Sequence, residues 1–139
     1  MNILITGAAG FVGKNLTAAL ECIRDGRDKT HPGLTVGELY LYDIDSDPAA
    51  AGNGLPEGGT SCSILPASTA RRIRKSSCRE ISGFASTLLD TLKKYRNTCP
   101  VMLSSSIQAT MVGRYAGSEY GRSKKAGEEL FFRYGEETA

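Results

Sequence analysis

Asn2-Ile3-Leu4-Ile5-Thr6-Gly7-Ala8-Ala9-Gly10-Phe11-Val12-Gly13 is the stretch that decides how the rest of the chain is read. Ile3 to Ile5 is a short apolar run with the length and branching of a buried strand. It runs straight into three glycines spaced G-x-x-G-x-x-G. Lys14-Asn15-Leu16 then opens a helical pattern with Val12, Leu16, Leu20 and Ile23 on one face. Strand, glycine turn and helix, in that order, form the setting in which such a motif binds a dinucleotide. Gly7 permits the tight turn, Gly10 lets backbone approach a pyrophosphate, and Gly13 lets the helix pack on the strand. The first helical amides, near Phe11 and Val12, would face the phosphates with the positive end of the helix dipole. The competing reading is an ordinary glycine-rich turn.

The bulk properties set the frame around that motif. A chain of 139 residues is one domain's worth. Its 40% hydrophobic and 23% charged residues suit a soluble protein, and a net charge of +2 calls for no nucleic-acid partner. The first apolar run is too short for a signal peptide, and no run approaches membrane-spanning length, so a cytoplasmic protein without a membrane partner is expected. Cys22, Cys62, Cys78 and Cys99 show no C-x-x-C pairing, so no metal site is expected and reduced thiols are the default. His31, beside Pro32 and Gly33, reads as a loop residue.

Past the first helix, Arg24 to Thr35 is polar and reads as a surface loop. Glu38-Leu39-Tyr40-Leu41-Tyr42 is a second strand ending at Asp43. An acid in that place accepts hydrogen bonds from the adenosine ribose and repels a 2′-phosphate, favouring NAD over NADP. The alternative is a plain strand-to-turn aspartate, beside Asp45 and Asp47. Residues 46–82 show no clean period, and Arg71, Arg72, Arg74, Lys75 and Arg79 crowd together without acidic balance. That composition predicts an aberrant or disordered segment. Phe84, Leu88, Leu92 and Tyr95 then share a helical face, closed by Lys93, Lys94 and Arg96. Val101-Met102-Leu103 is a further buried strand, leading into Ser104-Ser105-Ser106. A last helix carries Ala126, Leu130 and Phe131.

Tyr120 and Lys124 stand four apart, one above the other on a helix. A free tyrosine, with a pKa of about 10, is a poor base near neutrality, but an adjacent ammonium stabilises the phenolate. A serine at the end of a neighbouring strand can orient the substrate oxygen that the tyrosine protonates or deprotonates.

Thr6-Gly7-Ala8-Ala9-Gly10-Phe11-Val12-Gly13, Ser104-Ser105-Ser106 and Tyr120-Gly121-Arg122-Ser123-Lys124 together resemble the extended short-chain dehydrogenase/reductases, the NAD-dependent epimerase/dehydratase group. Ser104 to Thr110 and Tyr120 through Glu128 look like the capsular-polysaccharide reductases. The resemblance implies an α/β fold, a Rossmann-like doubly wound parallel sheet. It also implies keto reduction of a nucleotide-linked sugar with NADPH, whereas Asp43 argues for NAD. By the same resemblance Tyr120 is the catalytic acid/base. Lys124 eases its deprotonation and holds the nicotinamide ribose, and Ser106 orients the substrate oxygen. Helices around Phe84 to Tyr95 and Gly121 to Tyr134 would pair in a homodimer.

The resemblance fails between about residues 47 and 83. The family has there an apolar strand ending His-Leu-Ala-Gly. Back-translated with third bases free and read one nucleotide earlier, Thr60 to Ser82 can yield that strand. A pair of compensating frameshifts over about Ala50 to Gly83 is therefore expected, leaving the polypeptide without a central strand. Family members also run well beyond Ala139, so residues 1–139 read as the N-terminal part of an NAD(P)-binding domain, incomplete without its last strands and sugar-binding lobe. Two rival readings stand beside the enzyme: a dinucleotide-binding module without catalysis, and an inactive truncated or frameshifted product.

Overall fold

The computed structural model describes residues 1–43, 61–65, 77–112 and 118–138. Chain order is β1 (Asn2–Thr6), α1 (Phe11–Arg24), β2 (Leu39–Tyr42), β3 (Ser61–Leu65), α2 (Ser77–Lys94), β4 (Val101–Leu103), a 3-10 helix (Ile107–Ala109) and α3 (Glu119–Thr138). The strands form one sheet in the order β2-β1-β3-β4. β1 pairs parallel with β2, Ile3 opposite Leu39 and Ile5 opposite Leu41, and parallel with β3, Ile3 opposite Cys62 and Ile5 opposite Ile64. The chain leaves β1 toward one side to make β2 and returns to the other for β3. That reversal is the switch point of a doubly wound α/β sheet, outside whose carboxyl ends ligands bind.

β3 corrects one expectation. The chain does not lack a central strand, since Ser61–Leu65 stands between β1 and β4. A parallel ladder needs only backbone N–H and C=O groups, which every residue there carries, so an irregular side-chain pattern does not prevent pairing. The rest of the 46–82 segment up to Ser76, and the side chains of the Arg71–Arg79 cluster, lie outside the described residues.

The chain divides into two compact units, Met1–Thr69 with Cys99–Met102, and Ala70–Thr98 with Leu103–Ala139. In the first, Ile3, Ile5, Leu20 and Val36 form a buried cluster, with Ala8, Leu16, Ile23, Leu34 and Leu39 packed against it. Each of the four buried side chains contributes about 1.5–3 kcal/mol. Val12 departs from the expected face, being 42% exposed. Helical period fixes a residue's side of the helix, not whether the partner surface reaches that far along the axis. Met102 is likewise exposed, so β4 is not buried on both faces as expected.

In the second unit α2 packs on α3. Ala85, Leu88, Leu89 and Leu92 are buried at the 3- and 4-residue spacing of one helical face. The Tyr134 hydroxyl donates to the Asn97 carbonyl at 3.0 Å, and Lys93 pairs with Glu137, tying the C-terminal end of α2 to α3. Tyr95, which the spacing puts on the buried face, lies just past the end of the helix and is 54% exposed. The side chain of Phe84 lies outside the described residues. α1 and α2 end in the same way. The N–H of Arg27 reaches Cys22 O and that of Gly26 reaches Ile23 O; the N–H of Asn97 reaches Leu92 O and that of Arg96 reaches Lys93 O. This is the Schellman arrangement, whose central residue is left-handed: Gly26 at φ 70° and Arg96 at φ 51°.

Candidate functional site

The glycine turn is built as the motif requires. Gly7 has φ 67°, a conformation glycine adopts without steric cost, and Gly10 N–H closes the turn on Gly7 O at 3.0 Å. A Cβ on Gly13 would lie 2.2 Å from Gly7 O and 2.6 Å from Ala8 Cα. The third glycine thus lets α1 close on the turn itself, a little beyond the strand the sequence pointed to. A Cβ on Gly10 would stand 3.2 Å from Gly7 O, a tight but tolerable contact. Gly10 is the N-cap of α1, makes no side-chain capping bond, and is followed by a first turn without an acid. Phe11 and Val12 are exposed there. A helix start of this kind offers backbone N–H groups and a positive dipole end to an anion.

Asp43 follows β2. Its Oδ2 accepts the Ala9 N–H at 2.8 Å, while Ala8 N–H reaches Tyr42 O at 3.1 Å. Residues 42–43 and 8–9 are thereby laced together, and the carboxylate stands at the turn.

Ser106, Tyr120 and Lys124 belong to the second unit. Ser118 caps α3: its Oγ accepts the Gly121 N–H at 2.9 Å and donates to Gln108 Oε1 at 3.1 Å. A Cβ on Gly121 would lie 2.4 Å from Gln108 O. The start of α3 is thus pressed onto the 3-10 helix that Ser106 begins, with Ser106 Oγ accepting the Gln108 N–H at 3.3 Å. Tyr120, half-buried, sits in that first turn of α3.

Lys124 is 3% exposed. Its Nζ donates to Ser104 O at 2.8 Å and lies 5.4 Å from the centroid of the Tyr120 ring, within cation–π range. Burial disfavours the charged form and pushes the Lys124 ammonium below its ordinary pKa. The structure thus brings the Lys124 ammonium to the Tyr120 ring and ties Lys124 to the serine segment that carries Ser106. Glu128, which the sequence reading did not single out as a site residue, accepts a hydrogen bond from Ser105 Oγ. Its signal was the spacing, two turns on from Tyr120 and one from Lys124.

Among solved structures, the capsular polysaccharide assembling protein CapF from Staphylococcus aureus is similar to this chain with a TM-score of 0.68 at 29% identity, over 99% of this chain and 33% of CapF. Another crystal form of CapF gives 0.51 at 22% identity, over 100% of this chain and 28% of CapF. The UDP-N-acetylglucosamine 4-epimerase from Bacillus cereus gives 0.64 at 19% identity, over 98% of this chain and 49% of the epimerase. At that identity the likeness is one of fold. The chain spans about a third of CapF's length and half of the epimerase's. No protein-family model and no curated protein sequence matches it. Among the described residues no helix is long and apolar enough to cross a membrane.

Proposed function

We propose, from the kinship with the extended short-chain dehydrogenase/reductases that motifs and solved structures share, that this chain carries the cofactor cradle and proton-transferring tyrosine of a nucleotide-sugar enzyme. The reaction is an NAD(P)-dependent oxidation, reduction or epimerisation. The resemblance of Ser104 to Thr110 and Tyr120 through Glu128 to the capsular-polysaccharide reductases favours reduction of a keto group, and the likeness to CapF supports a place in capsular polysaccharide assembly. One observation carries the reading: the buried Lys124 ammonium beside the Tyr120 ring. Withdrawing a lysine from water is costly, and a helix that served packing alone would be more stable with an apolar side chain there.

The residues present suit a nicotinamide dinucleotide. Gly13 has no room for a side chain, and α1 begins without a side-chain cap or an early acid. Gly7, Gly10, Phe11, Val12 and Gly13 would hold the diphosphate, Asp43 the adenosine ribose and Lys124 the nicotinamide ribose. When bound, the dinucleotide supplies the carbon that gives or accepts hydride. The protein moves the proton: Tyr120 Oη delivers it to the sugar oxygen or removes it, and the Lys124 charge favours the phenolate. Ser106 Oγ orients that oxygen. The Asp43 carboxylate opposes a 2′-phosphate, which favours NAD over NADP. Replacing the tyrosine that matches Tyr120 with Phe in a full-length homologue tests the assignment: turnover of its nucleotide sugar should vanish while cofactor binding survives, and full activity in the variant would sink it.

A further inference from the structure

Three consecutive serines after β4 are held by three different groups. Ser104 O accepts from Lys124 Nζ at 2.8 Å, Ser105 Oγ donates to Glu128 Oε1, and Ser106 Oγ accepts the Gln108 N–H. The first two anchors come from the same side of α3, about 6 Å apart along its axis. The helix also approaches both ends of the serine segment. A Cβ on Gly127 would stand 3.3 Å from Leu103 Cδ2, before the serines, and one on Gly121 would collide with Gln108 O, after them.

We infer that Glu128 is a positioning residue: by holding the Ser105 hydroxyl it fixes the backbone ahead of Ser106 and so sets where the Ser106 hydroxyl stands. The inference rests on the role given to Ser106 above. One anchor, at the Ser104 carbonyl, leaves the following residues free to turn about their own bonds. A second anchor on the next residue, to a half-buried carboxylate, removes that freedom. The carboxylate is suited to the task because a hydroxyl gives it a charge-assisted hydrogen bond. Ser106 is left with its backbone extended, φ −148° and ψ 147°, as N-cap of the 3-10 helix. Catalytic groups need this kind of support, since a small misplacement of an orienting hydroxyl is costly in rate.

Amide hydrogen exchange followed by NMR tests the inference without relying on turnover. Gln108 N–H bonds Ser106 Oγ and Ala109 N–H bonds Ser106 O, so both report on Ser106. Glu128→Ala and Ser105→Ala should each speed exchange at these two amides about tenfold, with Leu130 and Tyr134 in α3 unchanged. Glu128→Gln and Ser105→Thr, which keep an acceptor and a hydroxyl, should restore slow exchange. Wild-type exchange at Gln108 and Ala109 in both alanine variants would overturn the inference, as would equal acceleration along all of α3. If Glu128→Ala fails to fold, Ser105→Ala decides alone. Cofactor binding is measured separately, as the rise in melting temperature with NAD⁺. Failure of NAD⁺ to raise the melting temperature of the wild-type chain would count against the proposed function and leave the exchange result standing.

Discussion

The carboxylate of Asp43, just past the end of β2, accepts the backbone N–H of Ala9 in the glycine turn at 2.8 Å. One side chain thus stiffens the turn and places negative charge beside it. Asp43→Ala should lower stability by about 1 kcal/mol through loss of a partly solvated charged hydrogen bond. It should also reverse cofactor preference, with the larger rise in melting temperature passing from NAD to NADP. Thermal unfolding with each cofactor measures both, and an unchanged preference would remove Asp43 from the ribose site.

Gly13 and Gly10 should respond differently to the same methyl group. At Gly13 the added carbon meets backbone at 2.2 Å, which nothing flexible can relieve, so Gly13→Ala should cost about 2–3 kcal/mol. At Gly10 the nearest atom is 3.2 Å away and φ is −74°. There alanine should cost less than about 1 kcal/mol and act chiefly on anion binding. Urea unfolding of the two variants gives the comparison.

Arg96 holds the left-handed position that Gly26 fills at the end of α1. A side chain there is strained by about 1 kcal/mol. Arg96→Gly should raise stability by roughly that amount, seen as a higher denaturant midpoint, and Gly26→Ala should lower it comparably.

Lys124 makes stability depend on pH. Burial lowers its folded-state pKa below the unfolded value, so between the two the unfolded chain binds more protons. Stability should therefore rise as pH climbs through that window toward about 10.4, the unfolded lysine value, and stop rising beyond it. Lys124→Met should flatten that rise in a pH series of unfolding midpoints. An identical slope in the variant would mean that the ammonium is not destabilised by burial.

The parts legible in the sequence were those where side-chain pattern and backbone need coincide. β1, the glycine turn and α1 follow from a branched apolar run, glycines at fixed spacing and a helical stripe. The pairing of Tyr120 with Lys124 follows from a spacing of one turn. β3 was not legible, because Ser61-Cys62-Ser63-Ile64-Leu65 has no period and is held by the ladder of β1. Those five positions are where an out-of-frame reading, with third bases free, can give Phe-Val-Phe-His-Leu, an apolar strand of the same length. Nor did composition point to the start of α2 at Ser77. The clasp of Ser105 by Glu128 needed three dimensions, since residues 23 apart in sequence meet only after α3 has folded back on the loop.

Titration calorimetry of the chain with NAD⁺ and NADP⁺ tests the central claim most directly. Saturable one-to-one binding, tighter for NAD⁺ and lost in Gly13→Ala, is the expected result. Absence of binding by either cofactor to the folded chain would contradict the reading of the glycine turn as a dinucleotide cradle, and with it the enzyme built upon it.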